Sequence, residues 1–267
     1  MERQMITGKL VKKIRVRGFI KALTGLHIGG SNLEMGIGGA DATVIRNPIT
    51  NEPYIPGSSL KGKMRALLER LHVGEEYARS FGEGFGANSN VQQFVFKDIR
   101  HPIVQLFGTT PEEVRKQNLP EQPVARLIVR DCLLTRKWAQ KLRDSEHTDM
   151  PFTEVKTEAA IDRVTSAAVP RQLERVPAGA VFRMEQVINV YEGDDEQKLL
   201  NLLFEGLMLV QHDYLGGKGS RGSGQVRIVV RQVAYRDRTS YAESKDWEPY
   251  NQVAIPQELQ VSSRAAS

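Results

Sequence analysis

The chain has 267 residues, 40% of them hydrophobic and 26% charged, with a formal net charge of +5 and a single cysteine. That content suits one large domain with insertions, and no apolar run approaches the roughly 20 residues a membrane span needs. Lone Cys132 excludes an internal disulfide, no Cys/His spacing suggests zinc, and MERQMITGKLVKK has no signal-peptide core, so a cytoplasmic protein without a membrane partner is expected.

Lys13 to Leu23 alternate, with Ile14, Val16, Gly18, Ile20 and Ala22 on one side and Arg15, Arg17, Phe19, Lys21 and Leu23 on the other. Period two predicts a strand with one wet, basic face. A glycine-rich connection runs from Thr24 to Asn51, and loops of this length inside compact domains are usually functional. A first helix is expected from Ser58 or Ser59, with Leu60, Met64, Leu67, Leu68 and Leu71 on its core face and Lys61 and Arg65 on another. Residues 72–122 are weakly periodic and read as an insertion holding a short helix at Ile103 to Phe107.

Ala125 to Leu134 predicts one strand, and Arg136 to Met150 a charged, exposed connection. Residues 151–178, too polar for a core element, read as a projecting hairpin. Gly179 to Tyr191 alternates as a strand, and Asp195 to Leu215 is an amphipathic helix. The run Leu215-Gly-Gly-Lys-Gly-Ser-Arg-Gly-Ser-Gly224 is a glycine loop leading into a last strand at Gln225 to Tyr235. The core order predicts an α+β protein with a ferredoxin-like (RRM-like) β-α-β-β-α-β core and long insertions. A single domain over residues 1–236 is expected, followed by a peripheral tail at 237–267.

Two basic segments stand out. In the glycine loop, Gly216, Gly217 and Gly219 let backbone N–H groups approach a ligand, and Lys218, Ser220 and Arg221 suit a polyanion. At the first helix, Ser58, Ser59, Lys61, Lys63 and Arg65 surround a helix N-terminus, which attracts phosphate, although a solvated charged helix has the same composition. Asp41, flanked by Gly38, Gly39 and Ala40, is either a turn residue or a carboxylate free to approach a scissile phosphate. His27, between glycines, suits acid/base work or a phosphate contact. No Gly-Lys-Ser/Thr follows a strand and opens a helix, so a nucleotide-binding P-loop is disfavoured.

Five stretches carry a family resemblance: GLHIGG (25–30), GGADATVIRNPITNEPYIPGSSLKGKMRALLE (38–69), ARLIVRDCLL (125–134), TEVKTEAAIDRVTSAAVPRQLERVPAGAVF (153–182) and DYLGGKGSRGSGQV (213–226). Together they resemble the repeating backbone subunit of type III-A CRISPR effectors (the Csm complex), a branch of the RAMP superfamily. The resemblance implies copies of one subunit stacked along a guide RNA, each flipping a nucleotide with a thumb-like hairpin. It implies cleavage of complementary target RNA beside each flip with a divalent metal, Mg²⁺ or Mn²⁺, and Asp41 as both catalytic and metal-holding residue. Asp131, Glu158 and Glu174 are secondary acidic candidates by motif. The hairpin would act as a thumb through Ile161, Val164 or Val169 as wedges, with Arg163, Arg171 and Arg175 facing RNA or a neighbour. His27 goes with RNA binding. Other subunits, including a large polymerase/cyclase-like subunit and a small one, are implied partners. An inactive scaffold of the same filament, or a repeat-RNA processing enzyme of the same superfamily, are the alternatives.

Overall fold

The computed structural model describes residues 8–30, 42–73, 101–109, 124–161, 164, 166 and 168–261, and every structural statement concerns these. Asp41, Arg163 and most of the 72–122 insertion lie outside the described residues.

Strand β1 (Leu10–Ala22) is the centre of the fold. It pairs antiparallel with β7 (Val181–Tyr191) on one side and β8 (Val226–Asp237) on the other. Outside β7 lies the short β3 (Leu127–Val129), and outside β8 the two-residue β9 (Glu248–Pro249). The sheet order β3-β7-β1-β8-β9 is that of a ferredoxin-like sheet with one strand added at an edge. The two crossover helices are α1 (Gly57–Val73), between β1 and β3, and α4 (Glu196–His212), between β7 and β8.

The alternation of β1 decides which face the helices cover. Ile14, Val16, Ile20 and Ala22 are fully buried on the helix side. Leu60, Met64 and Leu68 of α1 and Leu200, Leu203 and Leu207 of α4 complete the layer at 0% exposure. Gly206 lets the two helices approach, because a Cβ there would stand 3.1 Å from Leu68 Cδ1 and 3.3 Å from Met64 Cβ. The Asp195 carboxylate accepts from Lys198 N and caps α4.

Four sequence expectations change in detail. Residues 125–134 are not one strand. The chain turns at Asp131, whose Oδ1 accepts from Gly57 N at 2.7 Å, and β4 (Cys132–Leu133) pairs with β2 (Tyr54–Ile55) in a separate two-stranded sheet. The expected exposed connection at 136–150 opens with α3 (Arg136–Arg143), which buries Ala139 and Leu142. In α1, Leu71 is 55% exposed, while Glu69 is buried and pairs with Arg65. Beyond β8, α5 (Arg238–Ala242) and β9 lead to Tyr250 and Leu259, which join the core. The short helix α2 (Pro102–Phe107) forms where the sequence placed it.

One irregularity in the sheet matters later. The β1/β8 register shifts between Arg17, opposite Gln232, and Gly18, opposite Val230. Arg231 is the extra residue of a β-bulge, and it and Gln232 are both exposed. Glycine is required at position 18, since a Cβ would sit 2.0 Å from the Val229 carbonyl oxygen. Gly18→Ala is expected to destabilise the fold by about 1–3 kcal/mol through overpacking against backbone; denaturant unfolding of the two proteins measures it.

Candidate functional site

The projecting hairpin is real and regular. Strands β5 (Glu154–Ile161) and β6 (Ala168–Arg175) pair from Glu154↔Arg175 out to Ile161↔Ala168. Its root is tied by backbone bonds between Leu26 and Val176 (2.9 and 2.8 Å) and from Glu174 N to Ala42 O (3.0 Å). Towards its tip Ile161 is 66% and Val164 92% exposed, which for β-branched side chains is an unusual display of apolar surface.

The glycine loop lies flat beside that root. Gly217 N donates to His27 O (2.8 Å), Gly224 N to Gly25 O (3.0 Å) and Leu215 N to Gly224 O (2.9 Å). Two glycines are dictated by close approach. A Cβ on Gly216, at φ 81°, would meet His27 O at 2.2 Å, and one on Gly219 would enter the Tyr214 ring at 2.0 Å. The loop is pressed against residues 25–28 on its inner side, so Lys218, Ser220 and Arg221 stand exposed on its outer side.

Thumb and loop enclose a cleft of about 900 Å³ lined by Ala42, Glu158, Ile161, Arg171, Lys218 and Arg221, among others. Ala42 directly follows Asp41 in the chain. Glu158 forms an ion pair with Lys156 Nζ at 2.8 Å and faces Arg221 at 3.9 Å. The Lys156 hydrogen bond, joined by the charges of Lys156, Arg221 and Lys218, holds its carboxyl below the usual range despite partial burial. The cleft therefore offers exposed cations, exposed apolar side chains and a carboxylate that stays ionised.

Beneath the cleft is a buried hub. Glu174 is 1% exposed, and its carboxylate accepts from Arg46, from Thr153 Oγ1 (2.6 Å) and from Val44 N (2.8 Å). Burial raises its pKa, but the hydrogen bonds from Thr153, Arg46 and Val44 and the Arg46 charge outweigh that, so the net shift is downward. Its backbone carbonyl contacts His27 Nδ1 at 2.7 Å. One residue thus joins the stretch after Asp41, the start of the thumb and the segment under the glycine loop.

The predicted site residues separate into groups. Lys218, Arg221, Glu158, Ile161 and Arg171 converge on the cleft. Arg175 bridges thumb to loop, bonding Glu154 (2.6 Å) and Ser223 Oγ (3.4 Å). His27, at 8% exposure, supports the loop from below. The α1 cations are largely committed within the fold. Lys61 donates to Leu127 O (2.9 Å), and burial, then Arg65, lowers its pKa. Lys63 pairs with Asp213 (2.7 Å) over the Tyr214 ring, fixing the stem of the glycine loop, and Arg65 binds Glu69 and Gly108 O. Ser58 is exposed and Ser59 partly so. Asp131 caps α1 instead of reaching the cleft. Sequence reasoning missed Arg46, Thr153, Glu154 and Ser223, whose roles depend on partners 21 or more residues distant, and Tyr214, whose ring lies under both Gly219 and Lys63.

No group of three or more His, Cys, Asp and Glu side chains that could hold a metal occurs among the described residues. The two described acidic candidates nearest the cleft, Glu158 and Glu174, are each engaged by basic side chains.

The sequence matches the RAMP superfamily over residues 19–227. It is 35% identical over 238 residues to "CRISPR system Cms endoribonuclease Csm3" of Methanothermobacter thermautotrophicus, covering 85% of this chain and 87% of that protein. It is 38% identical over 216 residues to the protein of that name from Streptococcus thermophilus, covering 80% and 86%. Among solved structures it is similar to one chain of a Csm3–Csm4 subcomplex of the type III-A CRISPR-Cas interference complex, with 26% identity, TM-score 0.51 and 90% of each chain covered. It shares the fold of Methanopyrus kandleri Csm3 at TM-score 0.60 and 22% identity, over 94% and 92% of the two chains.

The hub predicts a defined pH response. Because the folded Glu174 carboxyl lies below its ordinary 4.5, its stabilisation is complete above that pH and disappears as the pH falls through the lower folded value. Glu174→Gln is expected to cost about 3 kcal/mol at neutral pH by leaving Arg46 without its counter-charge. The variant should also lose this part of the acid dependence, read from denaturant unfolding between neutrality and pH 3.

Proposed function

The chain belongs to the RAMP superfamily, among the Csm3 subunits of type III-A CRISPR effectors, and on that footing we propose that it binds guide RNA as a repeating backbone subunit and cuts complementary target RNA at regular intervals. The observation that carries this reading is the cleft in which the exposed cations of the glycine loop face the apolar tip and Arg171 of the thumb. Its partners on this reading are the guide, the target, further copies of the chain, and the large and small subunits of the complex, in the cytoplasm.

Each part has a physical task. Lys218 and Arg221 offer phosphate contacts that are blind to sequence, which suits a protein whose specificity is delegated to base pairing. Ile161 and Val164 act as a wedge that replaces base stacking with apolar contact. Unstacking one nucleotide bends the ribose-phosphate backbone, so that a 2′-hydroxyl can align with its own phosphate, a contribution of position alone. Asp41 then serves the proton transfer. The carboxylate of Glu158 keeps Lys156 and Arg221 oriented at the cleft wall.

A divalent metal, Mg²⁺ or Mn²⁺, remains part of the proposal. It would neutralise charge on the reacting phosphate. The described residues form no all-protein cage, so the arrangement that fits is Asp41 together with the RNA's own phosphate oxygens, a common mode for Mg²⁺.

Two outcomes test this. Asp41→Ala, in the assembled complex with a matched target and Mg²⁺ or Mn²⁺, should reduce cutting by roughly 100-fold or more while guide RNA stays bound; undiminished cutting would leave a binding scaffold without catalysis. Replacing both Lys218 and Arg221 by Ala should weaken RNA binding and flatten the dependence of log affinity on log salt by about 1.4, from about 0.7 per lost contact to a single strand.

A further inference from the structure

The cleft between thumb and glycine loop leaves the basic face of β1 unused, since no β1 residue lines it. The helices cover the side of the sheet carrying Ile14, Val16 and Ile20, which leaves the other side open. Cross-strand partners share a face, so the register places the open-side residues directly. Lys21 lies opposite Arg227, Phe19 opposite Arg183, and Arg17 opposite Glu185 and Gln232. The bulge at Gly18 adds Arg231, which a regular strand would not bring out beside Gln232. Arg130 reaches in from the turn after β3. These cations begin at Lys21 and Arg227, the latter just after the glycine loop at the start of β8, and run down the sheet into a second cleft of about 590 Å³. That cleft holds Phe19, Met184 and Leu133 with Arg17, Arg130, Arg183 and Arg231 around them.

The charge balance of this face is uneven. Glu185 pairs with both Arg17 (2.6 Å) and Arg130 (2.9 Å). Asp131 also lines the cleft, but it is engaged by Gly57 N. Arg183 and Arg231 are exposed and have no ion-pair partner among the described residues. The far end of the track is closed where Trp247 stacks on Arg15, with 4.1 Å from guanidinium to ring centre. The face is thus an arginine-lined strip of finite length with a partly exposed aromatic on its central strand.

We propose that this open face is a second RNA surface, along which a single strand leaving the glycine loop continues with its phosphates near Arg183 and Arg231 and a base stacked on Phe19. The inference rests on the guide-RNA reading above and extends it to a surface that neither loop nor thumb reaches. Arginine favours RNA here because its plane can both bind phosphate bidentately and stack on a base. An aromatic beside such cations is the usual platform for unpaired bases. Continuity with the glycine loop gives the strand its entry point.

The test uses the full chain and a generic single-stranded RNA at several salt concentrations. Replacing Arg183 and Arg231 together by Ala, both exposed and outside the core, is expected to weaken binding about tenfold or more near 0.1 M salt and to flatten the salt slope by about 1.4. Ultraviolet crosslinking with mass spectrometry should place RNA on the peptide containing Phe19. Unchanged affinity and slope, with no crosslink there, would overturn the proposal, even while the Lys218/Arg221 variant still loses binding and so upholds the cleft. Intact RNA binding combined with failure to join the complex's other proteins would equally overturn it, by showing a protein-docking face. Should the wild-type chain bind no RNA, the guide-RNA reading fails and this extension with it.

Discussion

A buried carboxylate holds the functional parts of this protein in register. Glu174 has three carboxylate donors on two stretches of chain, Val44 and Arg46 on one and Thr153 on the other, and its carbonyl contacts His27 on a third. A desolvated charge is tolerated only where its partners are complete, so each stretch is constrained to stay where it can donate. The result is geometric. The segment following Asp41, the root of the thumb and the support under the glycine loop converge on one point, although up to 147 positions separate the contacting residues in sequence.

Around this hub the charges divide by task. Lys61, Lys63 and Arg65 are tied to carbonyls, carboxylates or a ring, and what they fix is the placement of α1 and the stem of the glycine loop. Lys218, Arg221, Arg183 and Arg231 are exposed and face clefts or open sheet. The first group ties the scaffold together, and on the proposed reading the second supplies the long-range attraction for a polyanion. A net charge of only +5 is compatible with a strong local field wherever exposed cations cluster, as Lys218 and Arg221 do on the glycine loop and Arg183 and Arg231 on the open sheet.

Much of this was legible in the sequence wherever a local rule suffices. Period-two alternation in β1 places its buried and basic faces correctly, and the amphipathic apolar spacing places α4. The glycine loop and the hairpin announce themselves by composition. Legibility ends where distant partners decide. Asp131 breaks a good strand pattern because the N–H of Gly57, 74 residues away, claims its carboxylate. Glycines around His27 look like the mark of an open loop, yet another backbone lies against that segment and the ring is buried. Tyr250 and Leu259 are isolated apolar residues with no periodicity, so nothing local marks them as core. In α3 the signal was present, since Ala139 and Leu142 are one turn apart on an otherwise charged helix.

The central claim is that RNA is held between the thumb and the glycine loop. Amide hydrogen exchange on the full chain, with and without a guide-length single-stranded RNA, tests it most directly. The account expects slowed exchange at residues 154–175 and 213–225 when RNA is added. Unchanged exchange in both segments, with protection elsewhere on the molecule, would contradict it.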